Sequence, residues 1–207
     1  MQQTLLAGLT NTLLWSEELG QGWHTAPAMS YDGQYFAHYQ GLDNSPMGAA
    51  LTRARLELVG KYVAPNTVLD IGIGGGRFVQ ESGGYGYDVS VDAIQWLRES
   101  RRHLDPYLPG VIINAVCCWD SLEHIPNPEL LLSRVQRWLF VSMPIYTGLA
   151  DVLASKHYKP GEHLHYWTFD GFVKWCARQG FELMEVNHAE TELGREGITS
   201  FAFKRVD

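Results

Sequence analysis

The sequence predicts an α/β fold, doubly wound around a mostly parallel sheet, and three observations predict it. Short apolar, β-branched runs at residues 67–71 (TVLDI) and 111–119 (VIINAVCCW) alternate with helical segments, as they do when helices cover both faces of a parallel sheet. A glycine run at residues 72–76 follows the first of these strands. The last two strand-like runs, 182–186 and 199–204, have no obvious helix between them, so they read as a hairpin that adds one antiparallel strand at the sheet edge.

The elements follow in order. Residues 4–19 carry a loosely helical set of leucines. Residues 15–44 are rich in glycine and aromatics, and Tyr31, Tyr35 and Tyr39 repeat every four residues, so a helix aligns them on one face. Residues 47–62 form a helix with Leu51, Ala54, Leu58 and Val59 inside and Arg53, Arg55, Glu57 and Lys61 outside, stopped by Pro65. After the first strand and its glycine turn come a brief helix at 77–82, a second strand at 85–89 and a helix at 92–103. The long central strand 111–119 leads to a helix at 128–138, opened by proline, and a strand at 139–143. Residues 145–167 are too long for a turn and read as a lid, and helix 169–179 ends at Gly180. The division is a small N-terminal helical and aromatic cap, residues 1–46, and a main domain, residues 47–207.

Composition narrows the class. At 207 residues, 45% hydrophobic and 19% charged, the chain has material for one core. No apolar run reaches the roughly 18 residues that span a bilayer, and residues 1–12 lack the features of a secretory signal, so the expectation is a cytoplasmic protein with no membrane partner. Cys117, Cys118 and Cys176 have neither metal-ligand nor disulfide-framework spacing and read as packed thiols. A net charge of −7 opposes non-specific attraction to phosphate backbones.

The glycine turn lies where open parallel sheets bind ligands, beyond the carboxyl ends of the strands. Gly72, Gly74 and Gly76 let a ligand approach the backbone closely, with Ile73 between them. Nucleotide-binding dehydrogenases use a similar run but need a small residue at position 77, where this chain has Arg77. Asp70, two residues before the first glycine, would repel a pyrophosphate and suits a ligand with a cationic amino group. S-adenosylmethionine has an ammonium, a sulfonium and no phosphate. Asp88, at the end of the second strand, can accept hydrogen bonds from both hydroxyls of a ribose. Taken alone, it also reads as a turn or cap aspartate.

Four segments in this order, VLDIGIGGGRF, GYDVSVDAI, WDSLEHIPNPELLL and HLHYWTFDGFVKWCARQGFELMEV, resemble the class I S-adenosylmethionine-dependent methyltransferases, with a Rossmann-like sheet. The resemblance covers residues 51–204 and is to the short bacterial and bacteriophage proteins of the ubiquinone-O-methyltransferase-like group. It implies that the loop residues Gly72, Ile73, Gly74 and Gly76 contact the methionine part of S-adenosyl-L-methionine. Asp88, with Val89 beside it, then holds the ribose, and Trp119, Asp120 and Ser121 flank the adenine and the methyl donor. Tyr35 and Tyr39 belong to a cap folded over that pocket, or to an aromatic face packed on the sheet. The chain departs from the family in its short helix after Gly76 and in the lack of a third strand between 101 and 109.

Methyl transfer needs alignment first, and a base only if the acceptor must lose a proton early. Glu123-His124 resembles a recurrent pair of the family, and His124 is the candidate base, with capping of the turn before Pro126 as the plainer reading. Glu162, His163 and His165 have spacing that would allow a metal on an extended segment, but two histidines and one acid are a thin basis and no metal site is assigned. The resemblance places His163 and His165 at the substrate mouth instead. No Pro-Pro-Tyr clamp for a flipped base follows the fourth strand, and no Pro-Cys nucleophile is present. The acceptor is therefore expected to be a small molecule, methylated on O or N by a monomer or homodimer. Nucleic acid or protein acceptors, and a non-catalytic cofactor-binding subunit, are the alternatives. A nucleotide-dependent oxidoreductase or epimerase is disfavoured by Asp70 and Arg77.

Overall fold

The computed structural model describes residues 4–5, 13–24 and 33–206. In chain order these form β1 (Thr4–Leu5), β2 (Leu13–Ser16), β3 (Gln21–His24), α1 (Gly33–Asp43), α2 (Pro46–Gly60), β4 (Val68–Ile71), α3 (Arg77–Ser82), β5 (Tyr85–Tyr87), α4 (Val91–Glu99) and β6 (Ile113–Trp119). They continue with α5 (Pro128–Leu132), β7 (Val135–Pro144), α6 (Leu149–Ala154), β8 (His165–Trp167), α7 (Phe169–Arg178), β9 (Phe181–Asn187), α8 (Ala189–Glu192) and β10 (Ile198–Arg205).

The main sheet has six strands in the order β5-β4-β6-β7-β10-β9. β4, β5, β6 and β7 pair in parallel, while β10 is antiparallel to both β7 and β9. The expected doubly wound fold is present, and the closing pair of antiparallel strands does lie at the edge, but the connection expected to lack a helix contains the short α8. Within that pair, the antiparallel strand β10 sits one place in and β9 is outermost. This follows from burial: Ile198 to Phe203 are all buried, whereas β9 alternates only partly buried positions along most of its length.

Among the described residues no strand lies beyond β5 in the main sheet. A single parallel bridge stands there, Gly86 to His103, in which Gly86 N–H donates to Arg102 O and Gly86 O accepts from Leu104 N–H.

Three expectations need correction. Part of the segment 4–19 is strand, not helix: in β2 Leu13 and Trp15 point inward, and a turn with Gly20 at φ +58° leads into β3. Residues 6–12, and Tyr31 of the aromatic repeat, lie outside the described residues. The helix expected over 128–138 stops at Leu132. Its Asn127 cap accepts from Leu130 N–H at 3.1 Å, and β7 already starts at Val135. A strand that pairs on both sides must be long enough to satisfy two ladders, and ten residues of β7 do so, against a stretch whose leucines and Trp138 also suit a helix. Arg55, expected outside α2, points inward with a side chain 15% exposed.

The lid-like segment 145–167 folds into α6 and β8, and β8 joins β3 in a second, small antiparallel sheet, β1-β2-β3-β8. Trp15, Tyr146, Val152 and Tyr166 form its apolar interior. It is seated on the main domain by α7, where a Cβ on Gly171 would come within 2.1 Å of Gly20 O.

The larger core lies under α5 and α7. Phe172, fully buried, meets Phe201 edge-on at 5.1 Å between ring centroids and Phe203 at 5.5 Å, with Trp167 and Trp175 on its other sides. Removing so large a buried ring loses transfer energy and leaves a cavity. Phe172→Ala is expected to destabilise the fold by about 3–5 kcal/mol. Urea unfolding checks this, and a loss below about 1 kcal/mol would show that the aromatic cluster is loosely packed.

Candidate functional site

A cleft of about 1040 Å³ opens beyond the carboxyl ends of β4, β5 and β6. Its floor is the turn after β4. Gly72 and Gly74 have φ of +72° and +56°, and a Cβ on Gly72 would stand 2.7 Å from Ser121 Cβ, so a side chain there is excluded twice over. Ser121 Oγ donates to Ile71 O at 2.5 Å and ties the end of β6 to the end of β4.

Two acids flank the turn. Asp88 is gripped by backbone: one carboxylate oxygen accepts from Ile73 N–H at 2.9 Å and the other from Ser90 N–H at 2.8 Å. Burial nevertheless holds its pKa above the usual range, against these hydrogen bonds. Each oxygen keeps lone pairs for a ligand hydroxyl. Asp70 lines the cleft, 1% exposed, and its Oδ1 has no hydrogen-bond partner. Burial pushes its pKa well above the carboxylate range; nearby Arg55 pulls it down, while Asp43 and Asp88 push it further up. A buried acid with an open oxygen is suited to a cationic ligand group that restores its charge.

The cap helix α1 covers the turn. Tyr35 and Tyr39 pack together at 4.5 Å and line the cleft, with Tyr39 Cδ1 3.6 Å from where a Gly74 Cβ would be. The end of α1 is latched by Asp43, whose Oδ2 accepts from Arg77 N–H at 3.1 Å while Arg77 Nη1 donates to Asp43 O at 2.8 Å. Arg77 is the first residue of α3, so the chain's own carboxylate occupies the N-terminus of that helix. This is the place where dinucleotide folds bind pyrophosphate.

Trp119, Asp120 and Ser121 line the opposite wall. Trp119 is 6% exposed, with Phe78 edge-on at 5.3 Å and the Arg55 guanidinium 5.3 Å over its ring, so little of its face is open for stacking a second ring. Asp120 adopts φ +51°, a left-handed conformation that a non-glycine residue holds only under tertiary constraint. The constraint is a network of two arginines and two acids. Arg55 pairs with Glu190 at 2.7 Å and with Asp120 at 3.3 Å, and Arg195 pairs with both acids. Burial alone would push the Glu190 pKa up, but Arg55 and Arg195 outweigh it and hold it down to about 2.

His124 also lines the cleft, in a 3-10 turn at Leu122–His124. Burial lowers its pKa, which leaves the ring neutral near pH 7. Its ring lies 4.7 Å from that of His163, whose pKa is pushed down to about 2 by burial and by neighbouring His124.

Glu162, His163 and His165, whose spacing alone would allow a metal and to which none was assigned, are not the group that converges. His165 bonds Ile125 O at 3.0 Å and stacks on Trp167, and Glu162 pairs with Lys159. Among the described residues, Glu123, His124 and His163 are the group whose ligand atoms converge, within 4.8 Å of one another.

Of the residues singled out from sequence, Tyr35, Tyr39, Asp70, Gly72, Ile73, Gly74, Asp88, Val89, Trp119, Asp120, Ser121 and His124 meet on one cleft. Gly76, His163 and His165 are not on its wall. Gly76 caps α3 against Trp96, its absent Cβ 2.6 Å from that ring. Sequence reasoning missed Asp43, Glu190 and Arg195, and placed Arg55 on the wrong face. Residues 190 and 195 sit in a polar stretch that reads as loop, with no signal for a site.

A methyltransferase-domain family model matches residues 35–186, and the chain belongs to that family. It is similar to the ubiquinone biosynthesis O-methyltransferase of Glaesserella parasuis serovar 5 (strain SH0165), 26% identical over 162 residues, which cover 58% of this chain and 66% of that one. The chain thus spans just under two thirds of the length of that curated relative. In fold it is similar to the magnesium protoporphyrin IX methyltransferase (ChlM) from Synechocystis PCC 6803, solved with bound SAH, at a TM-score of 0.61 and 17% identity, covering 84% of this chain and 95% of that one. A chain of a complex that contains the Haloferax volcanii Trm112 methyltransferase activator matches at a TM-score of 0.64 and 16% identity, over 86% of this chain and 100% of that one.

The charge network gives a pH prediction with a definite sign. The folded-state pKa of Glu190 is depressed, so its contribution is complete above the unfolded value of about 4.3 and is lost as pH falls toward about 2. Wild type should therefore exceed Glu190→Gln in stability at pH 7, and the gap should shrink steadily between pH 4 and 2. Urea titrations of both proteins across that window check this, and a gap independent of pH would show that Glu190 acts without its charge.

Proposed function

We propose that this chain binds S-adenosyl-L-methionine in the cleft and transfers its methyl group to a small-molecule acceptor. One observation carries the cofactor: Asp70, 1% exposed, offers an unpartnered oxygen beside a glycine turn whose following helix is already capped by Asp43. That combination fits a cationic, phosphate-free ligand and opposes a pyrophosphate. Family membership and relatives named as methyltransferases support the same reading.

When bound, the cofactor supplies an electrophilic methyl group on a sulfonium. The chain's own residues do the rest. Gly72 and Gly74 admit the ligand against the backbone, Asp70 faces its ammonium and Asp88 accepts from its ribose hydroxyls. Tyr35 and Tyr39 of the cap exclude water above the turn. Such residues act by alignment, which can supply much of the acceleration in an in-line displacement. Neutral His124, on the cleft wall, is the group placed to receive a proton from an O or N acceptor.

The size and surface of the cleft support a small acceptor. Sites for one drug-sized ligand run to roughly 300–1,000 Å³, so about 1040 Å³ accommodates a donor and an acceptor together. Leu42, Met47 and Leu130 line it and are 49%, 43% and 44% exposed, an apolar rim suited to a partly apolar acceptor. The net charge of −7 weighs against nucleic acid. No helix among the described residues is long and apolar enough to cross a membrane.

Titration calorimetry should show binding of S-adenosylmethionine and of its demethylated product at micromolar affinity or tighter, and none of NAD. Asp88→Ala should weaken it by about 10- to 100-fold, the loss of hydrogen bonds to a charged acceptor. Binding of NAD alone would sink the reading. Transfer of labelled methyl to metabolite, nucleic-acid and protein fractions then decides the acceptor, and label only in nucleic acid would overturn the small-molecule assignment.

A further inference from the structure

Two guanidinium groups stand on the cleft wall, those of Arg55 and Arg195. They are engaged differently. Arg55 directs Nε and Nη2 at Glu190 and Asp120. Arg195 has a side chain 27% exposed, and both hydrogen bonds of its guanidinium leave from Nη1, to Asp120 Oδ2 and Glu190 Oε2. Among the described residues its Nε and Nη2 donate to nothing. An arginine carries its N–H donors in a planar fork matched to a carboxylate, so most of this fork is uncommitted.

From this geometry we infer that Arg195 forms a carboxylate-binding site on the acceptor side of the cleft, and that the methyl acceptor is a small molecule with an acid group and an apolar body. The carboxylate site stands by itself; its being an acceptor site rests on the methyl-transfer reading.

The side chain is held ready. Arg195 N–H donates to Glu190 O at 2.9 Å, and Arg195 O accepts from Thr191 Oγ1 at 3.1 Å and from Ile198 N–H at 3.2 Å. Gly194 and Gly197, at φ +101° and +85°, bracket it in a tight turn between α8 and β10. With Nη1 fixed by Asp120 and Glu190, the fork loses little freedom when a ligand arrives. The cluster of Arg55, Arg195, Asp120 and Glu190 is neutral, so directed donors rather than net charge do the selecting. A singly charged carboxylate suits that better than a phosphate dianion, in a chain of net charge −7.

The neighbours set the side of the cleft and the rest of the ligand. Arg55 is the cation that acts on Asp70, beside the glycine turn, whereas Arg195 acts on Glu123, next to His124. A carboxylate on Arg195 therefore lies toward the acceptor and away from the group that faces Asp70. Gly194, just before it, packs on the apolar rim, its absent Cβ 3.5 Å from Met47 Cε. A ligand with its acid on Arg195 thus runs onto Met47 and the apolar rim.

The test uses the whole chain with S-adenosylhomocysteine and two probes, 4-phenylbutanoate and its primary amide, titrated by saturation-transfer NMR. Wild type should bind the acid at least about tenfold more tightly than the amide, the difference made by charge-assisted hydrogen bonds. Arg195→Gln should bring the two probes to within about twofold and change S-adenosylhomocysteine affinity by less than about threefold. Arg195→Gln combined with Asp120→Asn keeps the cluster neutral and should lose the preference too, which keeps the test readable if the single variant fails to fold. Arg137→Gln, at an exposed position near the start of β7, removes the same charge and should keep the preference. Equal binding of acid and amide by wild type, or a preference that survives Arg195→Gln, overturns the inference. So does a loss of S-adenosylhomocysteine affinity beyond about tenfold in Arg195→Gln, which would assign the arginine to the donor's own carboxylate. Acid preference without S-adenosylhomocysteine binding would remove the proposed function and leave the carboxylate site standing; the reverse result would remove only the carboxylate site.

Discussion

The turn after β4 is where the structure is pinned, because three elements approach its backbone closer than any side chain permits. The absent Cβ atoms of Gly72, Gly75 and Gly76 are filled by Ser121 of the β6 loop, by Gln40 of α1 and by Trp96 of α4, at 2.6 to 2.7 Å. Gly74 alone keeps ordinary clearance, with Tyr39 at 3.6 Å. The glycines therefore serve packing at least as much as ligand approach. They bring the cap, α4 and the end of the central strand onto one point, and the cleft is the space left above that point.

The charge arrangement follows from this convergence. Closing α1 over the turn puts Asp43 at the start of α3, and Asp70 lies beneath in a dry position. On the other side, Arg55 reaches inward from α2 and meets Glu190 and Asp120, with Arg195 completing a compact set of two positive and two negative groups. Buried pairs of this kind contribute little net stability compared with apolar packing, yet losing one member leaves an uncompensated charge. Their evident effect here is positional: they hold Asp120 at a positive φ and so set the direction in which the chain leaves β6 toward Ser121, Glu123 and His124.

Much of this was legible in the sequence where local pattern and chemistry coincide. The TVLDI strand, its glycine turn and Asp88 stand where expected because each is fixed by short-range geometry. Position 77 told against a dinucleotide for lack of a small residue, and the structure adds a reason of its own: the arginine there latches the cap. Long-range effects were not legible. Leu130, Leu131 and Trp138 suit a helix or a strand, and only pairing with β6 and β10 decides that β7 begins at Val135. Arg55 looks like a solvated position on α2 until Glu190, 135 residues away, closes on it. His163 and His165 alternate on an extended segment, but His163 is bent toward His124 by a turn with Gly161 at φ +85°, while His165 turns to Ile125 O.

The lost third strand bears on how the sheet ends. A parallel sheet that stops at a three-residue strand presents unpaired backbone beside exposed Tyr85, Val89 and Val91. Such a border can recruit a strand from another molecule. In this chain residues 102–104 fold back, and both polar atoms of Gly86 are already engaged by Arg102 and Leu104. The central residue of β5 therefore has nothing left to offer a neighbour. A short return of the chain does the insulating that a whole strand would otherwise do, and it leaves the ground next to Asp88 open.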